Sequence, residues 1–255
     1  MRLFTLTIAL SLAAASVAAA GTLADAKKAG VIRIGTPGDY APFSVRQPDG
    51  SYRGADVTEA ERIATALGLK IDWVKTSWKD LATDAKANKF DMAVGGITIT
   101  DARKKFADFT VPLVTDGKRP IVRCADKNKY TTLASIDKPS VKVVVNVGGT
   151  NDAFAKAHLA QSDLTHFDDN TKIFGQIISG KEDVMVTDGV EVDHQSLLHP
   201  GVLCPAAVKE PFTHSQKGYL LQKDPELKAA VDKILQADIS SGTWEKTLTE
   251  AEKQP

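Results

Sequence analysis

Apolar positions along the chain follow two alternating rhythms. Val31–Gly35 is a short β-branched run broken by Gly38 and Pro42, and it predicts a strand. From Asp56 to Leu67 the apolar residues Val57, Ala60, Ile63, Ala64 and Leu67 share one helical face, with Gly68 placed to cap it. Lys70–Lys75 then predicts a strand, Lys79–Asn88 a helix and Phe90–Val94 a strand. The rhythm returns with the strand Val141–Val145, helices over Asp152–Leu159 and Thr171–Ser179, and the strand Asp183–Val186. Helical patterning from Pro225, with Leu227, Val231, Ile234 and Leu235 in phase, closes the chain. This β-α alternation predicts an α/β fold with parallel sheets covered by helices. The two halves are compatible with one sheet or with two lobes. In the second case Gly117–Cys124 is the crossing segment and residues near 211–218 the return, and ligands belong at the carboxyl ends of strands.

The first twenty residues stand apart. A basic start (Arg2), an apolar run from Leu3 and the small residues Ala18–Ala20 predict a secretory signal peptide cut near Ala20–Gly21. The run is short for a spanning helix, so no stable membrane insertion is expected after cleavage. Among 255 residues, 32 basic side chains balance 32 acidic ones. A chain without positive excess is a poor partner for nucleic acid. Cys124 and Cys204 form an even pair in an exported chain, which predicts one disulfide. The five histidines have no metal-ligand spacing, so no metal is expected.

Four constellations fall at predicted strand ends. Gly38–Phe43 sets Tyr40 in a turn, read either as turn chemistry with ordinary packing or as a cleft wall. Gly95–Arg103 joins two glycines, the hydroxyl of Thr98 and the guanidinium of Arg103, a fork suited to a carboxylate. The plain alternative is a solvated arginine at a helix start. Asn146–Asn151 places two glycines before a helix, where free amides attract an anion, unless Thr150 or Asn151 is an ordinary N-cap. Thr187–Glu191 holds Asp188 and Glu191 three residues apart. That spacing reads as a capping box, or as two acids on a cleft wall, one for an ammonium and one as proton donor.

In this order the four constellations resemble the type-2 periplasmic solute-binding proteins of the polar amino-acid class, through GITITDARKKFADFT, GADV and DVMVTDGVEV. A closer resemblance is to the periplasmic cyclohexadienyl dehydratases, enzymes on the same fold. It is carried by TPGDYAPFS, KTSWKDL, DGKRPI, VNVGGTN, DDNTKIFGQIISGKEDVMVTDGVE and LHPGVLC, and both cysteines sit where that family has its pair. The resemblance implies a two-lobed fold with the ligand between lobes: 21–120 with 213–255 as the first lobe and 121–212 as the second. It places the general acid on Glu191, an active-site lysine and asparagine on Lys118 and Asn146, and cleft positions on Tyr40, Trp78, Thr98, Arg103, Gly149 and Thr150. In amino-acid binders the residue matching Asp188 holds the α-ammonium. Ala55, Gly95, Gly189 and Val192 depart from the family pattern, and small residues at 55 and 95 are expected to reshape the pocket. The implied activity is the cofactor-free conversion of prephenate to phenylpyruvate and arogenate to phenylalanine in the periplasm, with a small carboxylate as substrate. The alternative is a binding protein for an amino acid or carboxylate that feeds a transporter permease.

Overall fold

The β-branched runs pair into two separate five-stranded sheets, each the floor of one lobe. The structure, a computed structural model, describes residues 23–254, so the leader expected over 1–20 and its cleavage point lie outside them. The first sheet runs in the order Lys70–Lys75, Val31–Thr36, Met92–Ala93, Leu220–Leu221, Asp108–Phe109. The second runs Asp163–Phe167, Lys142–Asn146, Val184–Asp188, Lys118–Arg123, Leu203–Pro205.

Neither sheet is wholly parallel, which corrects the sequence expectation. In each, four strands run in one direction and a single strand, fourth in the order, runs against both its neighbours. The antiparallel members are the strands that follow each crossing between lobes, Lys118–Arg123 and Leu220–Leu221. They enter a sheet from the crossing side rather than over a helical crossover. The crossing itself is shorter than expected. Val114–Asp116 pairs antiparallel with Ser215–Lys217 as a two-stranded ribbon, and Lys118 already pairs with Asp188 in the second sheet. Residues 118–120, grouped with the first lobe from sequence, therefore lie in the second sheet.

Burial on both faces explains the continuous apolar runs. Val143 and Val145 pack with Phe154 and Leu159 on one side of their sheet, while Val144 between them packs with Ile173 and Ile177 on the other. Alternate side chains of a strand point to opposite faces, so one run feeds two apolar layers. The first lobe does the same. Ile32, Ile34 and Met92 meet Ile63, Val231 and Leu235, while Ala93 and Leu220 meet Leu81 and Phe90 across the sheet. The helix Ala55–Leu67 ends at Gly68, whose φ of 72° closes it in the left-handed conformation. The closing helix is interrupted. Pro225–Ser240 stops at Ser241 and Gly242, and Thr243–Glu252 starts anew, carrying Trp244 against Tyr40 and Phe43. Cys124 and Cys204 are joined, tying the turn after Lys118–Arg123 to the neighbouring strand Leu203–Pro205. No helix among the described residues is long and apolar enough to cross a membrane.

Candidate active site

The strand ends of both sheets face one narrow pocket between the lobes. Its wall holds Tyr40, Trp78, Thr98, Asn146, Gly149, Thr150 and Asp188, all expected from sequence, together with Gly96, Asn151 and Asn170. Three expected residues stand one contact behind. Arg103 donates to the carbonyl of Thr98 at 2.7 Å, Lys118 donates to Thr150 Oγ1 at 3.1 Å, and Glu191 lines an adjoining cavity that shares Asn170 with the pocket.

Local folding puts each group there. Tyr40 lies on the short strand Asp39–Tyr40, and its ring stands edge-on to Trp78, whose indole N–H donates to Asp39 Oδ1 at 2.8 Å. Arg103 sits in the helix Asp101–Lys104, capped by Thr100. The helix Gly149–His158 begins three residues before the sequence expectation, with Gly148 as its N-cap, so Thr150 and Asn151 are not caps but members of its first turn. Amides of a first helical turn have no intrahelical acceptor and face the pocket side of this helix. The side chains of Thr150 and Asn151 instead accept from Lys118 Nζ.

The capping-box reading of Asp188 and Glu191 is corrected. Asp188 stands at the N-cap position of Gly189–Leu198 but makes no capping bond. Asp116, on the crossing ribbon, caps that helix instead, accepting from Gly189 N at 2.9 Å and Val190 N at 3.2 Å. A Cβ at residue 189 would stand 2.6 Å from this Asp116 oxygen, which explains a glycine there. Asp188 is thereby free to bind side chains. Its Oδ1 accepts from Lys118 Nζ at 2.7 Å, and its Oδ2 from Lys217 Nζ at 2.6 Å and Tyr40 O–H at 2.8 Å. Glu191 Oε2 accepts from Thr187 Oγ1, which accepts in turn from Asn151 Nδ2 at 2.9 Å. Asn151 also donates to Asn146 Oδ1 at 3.0 Å, so Glu191, Asn146 and Lys118 belong to one buried network.

The two acids are pushed in opposite directions. Burial raises the Asp188 carboxyl, but the charges of Lys217 and Lys118 outweigh it and hold the group well below the ordinary carboxylate range. Glu191 has no such partner in contact. Burial lifts its pKa to about 8, the Thr187 hydroxyl opposes the rise and the Asp188 charge adds to it. Burial likewise lowers Lys118, with Asp188 opposing, and lowers Arg103 to about 10. At neutral pH the site therefore holds an ionised Asp188 and a protonated Glu191 one helical turn apart.

Reading the sequence missed Lys217, Asn151, Asn170, Thr187 and Asp116. The first lies in the segment 211–218, which the sequence predicts as a chain return, and no motif marks it. Asn151 reads from sequence only as a candidate cap. Ala55 and Gly95, expected to reshape the pocket, are not on its wall. Ala55 packs under Tyr40, Phe43 and Trp244, and Gly95 donates its amide to Asp56 at 2.8 Å. Among the described residues no group of three or more His, Cys, Asp or Glu side chains is arranged to hold a metal ion.

Comparison with known proteins agrees with this architecture. Cyclohexadienyl dehydratase of Pseudomonas aeruginosa is 43% identical over 215 residues, 84% of this chain and 80% of the relative. The crystal structure of an ancestral cyclohexadienyl dehydratase is 44% identical, with a TM-score of 0.57, covering 92% of this chain and 98% of that one. An ancestral amino acid-binding protein, a precursor of cyclohexadienyl dehydratase, is 33% identical with a TM-score of 0.81, covering 91% and 99%. The family of bacterial extracellular solute-binding proteins, family 3, matches residues 32–250, and the chain belongs to that family.

Proposed function

We propose that the chain is a periplasmic cyclohexadienyl dehydratase, a carbon–oxygen lyase converting prephenate to phenylpyruvate and arogenate to phenylalanine. The observation that carries the reading is Glu191, buried and still protonated at neutral pH, one turn from an ionised Asp188. General-acid catalysis needs an acid whose pKa lies near the working pH, and Glu191 is one. The similarity to the Pseudomonas aeruginosa dehydratase supports the same reading.

Aromatisation drives the reaction. The ring carboxylate leaves as carbon dioxide, its bonding electrons move through the ring, and the hydroxyl opposite departs with the proton of Glu191 as water. Each turnover thus consumes one proton, which Glu191 regains from solvent. Arg103 and the amides of Gly149 and Thr150 anchor the carboxylates. Lys118 and Asn146 orient the ring end, while Tyr40, Trp78 and Thr98 shape the pocket. Thr187 donates to Oε2 of Glu191, so the transferable proton belongs on Oε1. Mature protein incubated with prephenate is expected to release phenylpyruvate, followed by absorbance. Absence of turnover, with the protein folded, returns the chain to the transporter-linked binding proteins.

A further inference from the structure

The resemblance to amino-acid binders implies a ligand ammonium at the residue matching Asp188. In this chain an ammonium of the protein's own already stands there. Lys217 is 2% exposed, and its Nζ meets Asp188 Oδ2 at 2.6 Å and the Gly96 carbonyl at 3.2 Å. It also lies 5.4 Å and 5.7 Å from the ring centroids of Tyr40 and Phe43. A carboxylate, a carbonyl and two aromatic faces make a cage suited to an alkylammonium. Both oxygens of Asp188 are already engaged, since Lys118 holds Oδ1 and Tyr40 shares Oδ2 with Lys217.

The remaining charges point the same way. Lys118, Lys217 and Arg103 are cations grouped on or just behind the pocket wall, and Asp188 is the ionised acid facing them. Asp116 is engaged by the amides of Gly189 and Val190, and Asp39 by the indole of Trp78. Glu191 is neutral near pH 7. The pocket thus offers net positive charge to its ligand and no unengaged carboxylate for a further cation; the unpartnered Oδ1 of Asn170 on its wall is a neutral acceptor.

We infer that Lys217 determines specificity by occupying the amino-group position, so that the doubly charged keto acid prephenate is preferred to its amino counterpart arogenate. The inference rests on the dehydratase reading for the identity of the two substrates. An α-ammonium would enter beside two lysines, and like charges in a closed site discriminate strongly. The native protein is expected to show kcat/KM for prephenate at least ~10-fold above that for arogenate, and to bind phenylpyruvate more tightly than phenylalanine in calorimetry. In Lys217→Met, of similar volume without the charge, both preferences should shrink or reverse. An equal or higher kcat/KM for arogenate overturns the inference, as does a folded Lys217→Met that keeps the native ratio. If that variant does not fold, the native ratios alone decide. Turnover of neither substrate sinks the dehydratase reading instead, and the calorimetric pair still decides the charge preference: tighter phenylalanine binding refutes it.

Discussion

Two deeply buried aspartates at helix starts, Asp56 in the first lobe and Asp188 in the second, lead different lives. Asp56 of the first lobe accepts from the amides of Gly95 and Gly96 at 2.8 and 2.7 Å and from the Tyr219 hydroxyl at 3.1 Å. Burial raises it to about 6, with those donors opposing. Its partners are mostly backbone, so it braces the glycine turn that carries Thr98 and Arg103. Asp188 of the second lobe is as deeply buried but faces two lysines and a phenol, and it stays ionised. Partner chemistry, rather than depth, separates a brace from a site.

The sharpest test of that contrast is Glu191, the acid that escapes both kinds of partner. Glu191→Gln keeps size and hydrogen bonding but has no proton to give, so kcat should fall by roughly 10²–10⁴. Native activity should fade on the alkaline side as pH passes about 8, where Glu191 ionises. The stability sign is opposite. Below the ordinary value of 4.5 both folded and unfolded chains carry the proton. Between there and about 8 only the unfolded chain ionises, which weakens the fold as pH rises. The Gln variant lacks that loss, so its melting temperature at pH 7 should equal or exceed the native one. Next in size is Asp188→Asn, which leaves Lys118 and Lys217 without a counter-charge. Removing one partner of a buried ion pair costs about 3–5 kcal/mol, measured by urea denaturation. Arg103→Ala should raise the dissociation constant for the carboxylate ligand at least ~10-fold with folding intact. The smallest effect is expected for Asp56→Asn, which retains an acceptor for the glycine amides and should cost about 1 kcal/mol. Equal losses for the two aspartate variants would erase the distinction drawn between the lobes.

Much of this was legible beforehand because apolar period and turn residues act locally. The strand Lys70–Lys75 and the cap Gly68 stand where the sequence pattern predicts them, and seven of the pocket-wall residues follow from strand ends and resemblance. What escaped depends on long-range pairing. Asp116 and Asp188 are far apart in sequence, and only the fold shows that one has taken over the other's capping role. The antiparallel member of each sheet was invisible for the same reason, since a buried strand shows one apolar run whatever its neighbour's direction. Lys217 lies in a polar stretch, and only three-dimensional proximity to Asp188 gives it meaning.

The two-stranded ribbon that joins the lobes sorts the contacts of Asp188 into permanent and conditional ones. Lys118 and Asp188 are register partners within one sheet, so their pairing travels with the second lobe as a unit. Lys217 ends the ribbon's second strand, bridged to Thr98, and Tyr40 belongs to the first lobe. A rotation about the ribbon therefore parts Asp188 from Lys217 and Tyr40 while sparing Lys118. Two of its three gripping groups are supplied only by the shut jaw, so the electrical character of the cavity is a property of the assembled clasp rather than of either half.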